Sequence, residues 1–436
     1  MAIKIILGTQ WGDEGKGKFV DYFSSTCDVV ARYNGSGGAA HTVSNKYGTF
    51  KLHLLPCGIF SKETKVLITN GVVVEPELLL NEIAQAEKAG IKLKGRLFIS
   101  PRCHLVFPYH KLLDRATNAL YAGASKTSPT TGRGNGPVNA DKISYQGIRI
   151  YDLLDTKRFA KRLAVSVQIK NKFIVSLGGE PLKYQDIYKN YIAYRKTLLP
   201  YIKETLPELE NSLKANKNVL FEGVNGFLLD NDWGAYPYVT TASILPTEVA
   251  RGSGINPYLY KNEVIGIAKA YMTRVDNGEC PLPSEWQEDK NTKAFRDKNS
   301  EYGSGTGRPR RICWFDTEVI KFAHRLSHYD YLCLTRLDSL AGLKKIKLCV
   351  GYTLHGKKTD YLDGDAEFYR KVKPVYEEME GWSEDLSSIT NYRDLPLNVQ
   401  KYIEKIEKEC QIPIKYISVG PNRNQTIKRH SGKLIK

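Results

Sequence analysis

Ile3-Lys4-Ile5-Ile6-Leu7-Gly8-Thr9-Gln10-Trp11-Gly12-Asp13-Glu14-Gly15-Lys16-Gly17-Lys18 is the stretch that decides how the rest of the chain is read. Ile3–Leu7 is short, apolar and β-branched, which predicts a strand covered on both faces. It runs into a glycine-rich turn carrying two lysines, and a helix is expected from Gly17. Gly12, Gly17 and Lys18 satisfy most of the phosphate-loop pattern G-x-x-x-x-G-K-[ST]. The glycines let backbone N–H groups face an anion, and a helix N-terminus adds a favourable field. One element is missing: Phe19 stands where a hydroxyl residue would bind Mg2+. Asp13 is then the obvious oxygen donor. A carboxylate among phosphate-binding amides is unfavourable unless it holds a cation or moves a proton. The plainer reading is that Asp13 caps the helix.

The same rhythm continues along the chain. Val29–Tyr33, Lys65–Thr69, Leu97–Ser100, Val219–Glu222, Val264–Ala270, Tyr331–Thr335, Lys345–Val350 and Lys415–Val419 read as strands with helical segments between them. Glu75–Ala89 is expected to be a helix, with Pro76 in its first turn, Leu79, Ile83 and Ala86 on one face, and Gly90 as its stop. This alternation predicts an α/β fold with a large, mostly parallel central β-sheet and flanking helices. The Lys- and Tyr-rich Asp155–Asn218, broken only at Gly178–Gly179, predicts a helical excursion laid on that sheet.

With 42% hydrophobic and 25% charged residues, the chain of 436 is not mainly disordered. No apolar run approaches the roughly 20 residues that cross a bilayer. Lys4 interrupts the first apolar run and no small-residue cleavage site follows, so a cytoplasmic protein without membrane contact is expected. The 64 Lys+Arg outnumber the 47 Asp+Glu by 17. The basic residues are spread throughout, apart from Arg308, Arg310 and Arg311, and no nucleic-acid-binding motif accompanies them, so anionic small substrates are favoured over nucleic acid. The eight cysteines form no Cys-x-x-Cys pair, which disfavours a zinc or redox site. Gly35–Ala40, Thr131–Pro137 and Gly303–Arg308 join small flexible residues to polar or cationic ones and read as further anion-binding loops.

Gly8–Lys18 resembles the signature of the adenylosuccinate synthetase family almost letter for letter. Further matches follow in order: His41-Thr42, Leu52-His53, Pro56–Ile59, Asn70–Val73, Thr130–Gly134, Phe221-Glu222-Gly223, Tyr236–Thr240, Thr273-Arg274-Val275, Thr306-Gly307-Arg308 and Ser418–Pro421. The resemblance spans essentially the whole chain. It implies one P-loop-like domain over 1–436, with the helical excursion at about 155–218 and guanine-recognition elements within 331–436. It also implies a homodimer that requires Mg2+ and joins L-aspartate to IMP with GTP, giving adenylosuccinate, GDP and phosphate.

That reaction replaces a purine 6-oxygen by an amine. Oxide is a very poor leaving group, so it must first be phosphorylated, and a base must take the N1 proton. Asp13 matches the family's base and His41 its acid partner. The resemblance assigns GTP to Gly12, Asp13, Glu14, Gly15, Lys16, Gly17, Lys18, Ala40, His41, Thr42, Arg310, Arg336, Leu337, Asp338, Ser418, Val419 and Gly420. Asp338 would read guanine N1–H and the 2-amino group. It assigns aspartate to Ser304, Gly305, Thr306, Gly307 and Arg308, since arginine holds a carboxylate through two N–H groups. Mg2+ falls to Asp13 and the Ala40 carbonyl. IMP falls to Asp13, Lys16, Gly38, Thr131, Tyr145, Asn225, Thr240 and Arg308.

The departures from the family pattern gather on that last set. Gly38 replaces an asparagine, Ala40 a glycine, Asn225 a glutamine, and Tyr145 an arginine that reaches across the dimer to the IMP phosphate. Pro309 interrupts the arginine run. Losing a phosphate-binding arginine costs about 1.5–3 kcal/mol if its hydrogen bonds are not replaced. The acceptor is therefore IMP, or another purine nucleotide or nucleoside with an –NH–C(=O)– edge. A third reading is a GTP-binding regulator without catalysis.

Overall fold

The computed structural model describes residues 3–125, 130–276, 278–303, 307–359 and 362–429. Among the described residues nine strands form the central sheet: β1 (Ile3–Gly8), β2 (Val29–Arg32), β3 (Lys65–Ile68), β4 (Leu97–Ile99), β5 (Val219–Glu222), β6 (Asn262–Lys269), β7 (Tyr331–Thr335), β8 (Ile414–Ser418) and β9 (Thr426–Lys428). Their spatial order is β9-β8-β7-β6-β1-β5-β2-β3-β4. All neighbours run parallel except the terminal β8–β9 hairpin. The α/β expectation holds, and β9 is an edge strand that the sequence reading lacked.

Burial on both faces explains the unbroken apolar strands. Ile3, Ile5 and Leu7 of β1 pack into one apolar cluster, while Ile6 joins Phe19 and Val20 on the other face. Helix α1 (Lys16–Ser24) follows β1 directly, one residue earlier than expected. Helix α2 (Pro76–Lys88) carries proline in its first turn, and Gly90 beyond it takes a left-handed φ of 81°.

Between 155 and 218 the chain is helical, as read. Asp155 caps α3 (Thr156–Ser176) by accepting from Lys157 N and Arg158 N, and the glycine pair separates it from α4 (Tyr184–Leu198), which α5 (Leu206–Lys214) follows. Aromatic rings seat this excursion, with Tyr191 stacked on Phe107 at 4.3 Å between centroids and Phe159 on Tyr188 at 5.9 Å.

One strand lies elsewhere than its apolar run suggests. Lys345–Leu354 forms a separate sheet with Phe315–Asp316, Lys357–Thr359 and Lys373–Glu380. Its opening Lys-Ile-Lys-Leu alternates exposed and buried, the pattern of a sheet with one face in solvent.

Beside the exit of β2, three backbone segments meet without room for a side chain. A Cβ on Gly71 would lie 2.0 Å from the Tyr33 carbonyl oxygen, and one on Gly252 would lie 2.1 Å from the same atom. Gly71→Ala and Gly252→Ala are each expected to lower unfolding stability by about 2 kcal/mol or more, read by thermal or urea unfolding. Gly136→Ala, in open space near a helix start, should be neutral or stabilising by up to about 1 kcal/mol.

Candidate active site

Strand order reverses at β1, and the loops leaving the carboxyl ends of the strands on either side diverge there, opening a crevice. Most segments singled out from the sequence leave strands at this end. The phosphate loop follows β1, Asn34–His41 follows β2, Gly223–Gly226 follows β5, Arg336–Asp338 follows β7, and Val419-Gly420 follows β8.

The phosphate loop is wrapped around the side chain of Glu14, which is fully buried. Its Oε1 accepts from Gln10 N at 3.1 Å and Gly12 N at 2.8 Å, and its Oε2 accepts from Lys16 Nζ at 2.5 Å. A Cβ on Gly8 would lie 2.5 Å from Glu14 Oε2, and one on Gly226 2.2 Å from Oε1, so both positions are confined to glycine. Gly15, left-handed at φ 87°, is the N-cap of α1, and no side chain caps that helix. The reading of Asp13 as a helix cap is thereby excluded.

Asp13 instead sits at φ 60° with its side chain one-third exposed. Its Oδ2 lies 2.8 Å from Arg310 Nε. Arg310 is buried and spans two carboxylates, since its Nη1 also donates to Glu301 Oε2 at 2.7 Å. Glu301 Oε1 meets Lys269 Nζ at 2.6 Å and accepts from the Tyr271 hydroxyl. Burial alone would raise the Glu301 carboxyl, but Lys269, Arg310 and Arg336 hold it well below the usual carboxylate range.

Both lysines of the loop are engaged with protein oxygens. Lys16 faces Glu14, and Lys18 Nζ donates to Ser418 Oγ at 2.6 Å, Gly420 O at 2.7 Å and Gln425 O at 2.8 Å. Burial pulls the Lys18 ammonium down to about 7, with Asp338 opposing. Phosphate loop and Ser418–Gly420 wall are thus joined through one cation.

His41 opens the hairpin His41–Asn45/Gly48–Leu52 and is buried. Its Nδ1 lies 2.6 Å from Glu222 Oε1, and because a carboxylate only accepts, Nδ1 carries the proton. Nε2 is buried without a hydrogen-bond partner among the described residues. Burial lowers the imidazole pKa, and Glu222 acts against that shift without cancelling it. Glu222 Oε2 accepts from Cys57 N at 2.8 Å. Cys57 Sγ, His41 and Glu222 bring their ligating atoms within 4.8 Å of one another. Burial pushes that thiol well above its ordinary pKa, so it stays protonated. Arg32, at the end of β2, is fully buried with all three guanidinium nitrogens unpartnered among the described residues.

At the far end of the crevice, Asp338 Oδ1 is buried without a hydrogen-bond partner among the described residues. Burial raises this carboxyl, with Arg336 and Lys18 opposing. Arg336, at φ 62°, donates to Asn299 O at 3.3 Å, and Leu337 is buried beside it. Val419 N donates to Gln425 O at 3.1 Å.

The remaining positions are arranged less tightly. A Cβ on Gly38 would lie 3.1 Å from Thr131 Oγ1, so the missing side chain lets that hydroxyl approach. Thr240 Oγ1 accepts from Asn135 Nδ2 at 3.2 Å. Asn225 holds a left-handed φ of 59°, which asparagine tolerates. Ala40 is half-buried and Thr42 exposed. Gly307, left-handed at φ 67°, donates to Gly303 O at 2.8 Å, and Arg308 O accepts from Gly303 N at 2.7 Å. Ser304, Gly305 and Thr306 lie outside the described residues. Tyr145 holds φ 66° and is 92% exposed. Glu222, Glu301, Lys269 and Arg32 were not among the sequence-derived site residues. For Glu222 and Arg32 the available signal is a charged residue ending an otherwise apolar strand.

A family model described as adenylosuccinate synthetase matches residues 5–427. The adenylosuccinate synthetase of Clostridium perfringens (strain 13 / Type A) is 44% identical over 429 residues, covering 98% of this chain and 99% of the relative. That of Thermoanaerobacter sp. (strain X514) is 44% identical over 428 residues, with the same coverage. Among solved structures, fully ligated adenylosuccinate synthetase from Plasmodium falciparum superposes with a TM-score of 0.92 at 34% identity, covering 98% of this chain and 100% of that one. The succinoaminodeoxyadenylate synthetase of cyanophage S-2L, bound to dGMP and dATP, shares the fold with a TM-score of 0.62 at 16% identity, covering 98% and 95%. With the family matched over nearly its whole length, the chain belongs to the adenylosuccinate synthetases, GTP-dependent ligases of purine biosynthesis that join aspartate to IMP.

Proposed function

We propose that this ligase works through Asp13 as base and His41 as acid partner, on GTP, IMP and L-aspartate. One observation carries the reading: Asp13 is a carboxylate one-third exposed within a phosphate loop, held by an ion pair that a ligand can exchange. Asp13 takes the proton from purine N1, and the 6-oxygen attacks the γ-phosphorus of GTP with GDP leaving. The aspartate amine then displaces phosphate from C6. The unpartnered Nε2 of His41 faces the transferring phosphoryl oxygens. An anion there raises the proton affinity of the ring, which Glu222 already favours.

Gly12–Lys18, Ala40, Thr42 and Arg310 cradle the phosphates in this reading, and phosphoryl transfer depends mainly on such positioning and charge. The orphaned Asp338 Oδ1 fits the two N–H donors of guanine, with Arg336, Leu337 and Ser418–Gly420 around the base. Asp13 and the Ala40 carbonyl would hold Mg2+, an oxygen-only donor pair of the kind that ion takes, and the ion supplies charge neutralisation between phosphates when bound. Gly38, Thr131, Asn225, Thr240 and Arg308 border the acceptor, and Ser304, Gly305, Thr306, Gly307 and Arg308 are assigned to aspartate. A homodimer is supported by exposed Tyr145, Ile143 and Tyr236, with Tyr145 facing the partner's acceptor. The cytoplasm fits a chain with no membrane-spanning helix among the described residues.

Asp13→Asn should abolish phosphate release with IMP and aspartate while leaving GTP binding largely intact. Unchanged turnover removes Asp13 as base. An acceptor panel of IMP, dIMP, GMP, dGMP and inosine, read by mass spectrometry, should show IMP converted, and conversion of another acceptor but not IMP would reassign the substrate.

Removing the Glu222 charge tests the acid. In Glu222→Gln the His41 titration midpoint, followed by NMR, should fall below that of the parent enzyme. The protonated imidazole then requires more acidic solution, and the high-pH limb of kcat moves to lower pH with it. Tyr145→Arg should lower the KM for IMP about tenfold with little change in kcat, as a restored phosphate hydrogen bond of that strength implies.

A further inference from the structure

Arg310 is held unequally by its two carboxylates. Glu301 is fully enclosed, its side chain 0% exposed, and both of its oxygens are taken. Lys269 Nζ at 2.6 Å and the Tyr271 hydroxyl occupy Oε1, and Arg310 Nη1 at 2.7 Å occupies Oε2. Arg336 Nη2 lies 3.7 Å from Oε1. The backbone fixes the pair as well, because Arg310 N donates to Glu301 O at 2.9 Å and Arg296 Nε donates to Arg310 O at 2.8 Å. Lys269 is locked in turn to the phosphate loop by reciprocal bonds between its backbone and the Gln10 side chain, each 3.0 Å. Asp13, by contrast, is one-third exposed, and its Oδ2 lies 2.8 Å from an Arg310 Nε that makes no hydrogen bond among the described residues. Solvent and ligands reach the Asp13 carboxylate and not the Glu301 carboxylate.

We infer that Glu301 is a positioning residue, the fixed pivot on which Arg310 turns its Nε edge from Asp13 to the triphosphate. While the two are paired, Arg310 neutralises Asp13 at the loop. When the purine N1–H and a cation claim Asp13, Arg310 keeps its hold on Glu301 and offers the vacated edge to a phosphate oxygen. The same carboxylate ties Arg310 to Lys269 beside the phosphate loop and, through Arg336, to the base end. This inference rests on the proposed roles of Asp13 as base and Arg310 as phosphate ligand.

The test is a double-mutant cycle in the full-length enzyme with GTP, IMP and aspartate. Glu301→Gln should lower kcat at least 30-fold and raise the KM for GTP, while the affinity for GDP, which lacks the γ-phosphate, changes less than threefold. Glu301→Asp, which keeps the charge, should recover at least a third of the lost kcat on a logarithmic scale. In an Arg310→Lys background, Glu301→Gln should cost less than threefold. An equal cost in both backgrounds, or parent-like kcat in Glu301→Gln, overturns the inference. Should Glu301→Gln not fold, a crystal structure of the unaltered enzyme with IMP and a non-hydrolysable GTP analogue decides: Arg310 on Glu301 and off Asp13 supports the pivot, and Arg310 detached from Glu301 refutes it. Turnover by Asp13→Asn would instead sink the base assignment, independently of how Glu301 behaves.

Discussion

A single buried carboxylate, Glu14, shapes everything at the mouth of β1. Its two oxygens gather the amides of residues 10 and 12 and the ammonium of Lys16, and its own main-chain oxygen accepts from Thr335 Oγ1 at 2.7 Å. Those bonds satisfy a charge that would otherwise be costly inside the protein. They also fix the path of the loop so tightly that Gly8 and Gly226 have no room for a side chain. With the loop fixed, Asp13 is forced into a left-handed backbone and its side chain projects into the crevice rather than down the helix. The family resemblance assigns Glu14 to GTP; its side chain is fully buried and bonded to the loop itself.

A second tier of buried acids organises the cations around that loop. Glu222 aims His41, and Glu301 aims Arg310. Each acid is completely enclosed, and each leaves one nitrogen of its partner without a hydrogen bond among the described residues: Nε2 of the imidazole in one case, Nε of the guanidinium in the other. This division separates the hydrogen bonds the fold already makes from those left to be completed. In the proposed mechanism both partners are thereby oriented in advance, and phosphoryl transfer gains much of its rate from such preorganisation.

Much of the fold was legible because its signals are local. The run Ile3–Leu7, the glycines after it and the proline and glycine bracketing α2 each act over a few residues. Lys345–Leu354 was recognisable as a strand, but its separate sheet follows from the alternation of Lys345 and Lys347 with buried neighbours, a subtler cue than apolar content. The site was legible to the extent that motif residues lie in loops after strands. Glu222 and His41 are 181 positions apart, and Lys269, at the end of β6, meets Glu301 from a segment well beyond that strand. No spacing rule reports such encounters. Lys18 was read as a phosphate ligand from its place in the loop, whereas its three oxygen partners come from residues some 400 positions later.

If the turn after β1 holds the phosphates and Ser418–Gly420 the base, as proposed, that last contact couples the two ends of a nucleoside triphosphate. The ammonium of Lys18 bridges the turn after β1 and the turn after β8, and burial keeps its proton only loosely held near neutrality. An incoming polyanion would strengthen that proton's attachment and compete for the same three hydrogens. Any loosening of the clasp would be felt at once by the segment flanking the heterocycle, so occupancy at the anionic terminus and the fit of the aromatic terminus are mechanically one event.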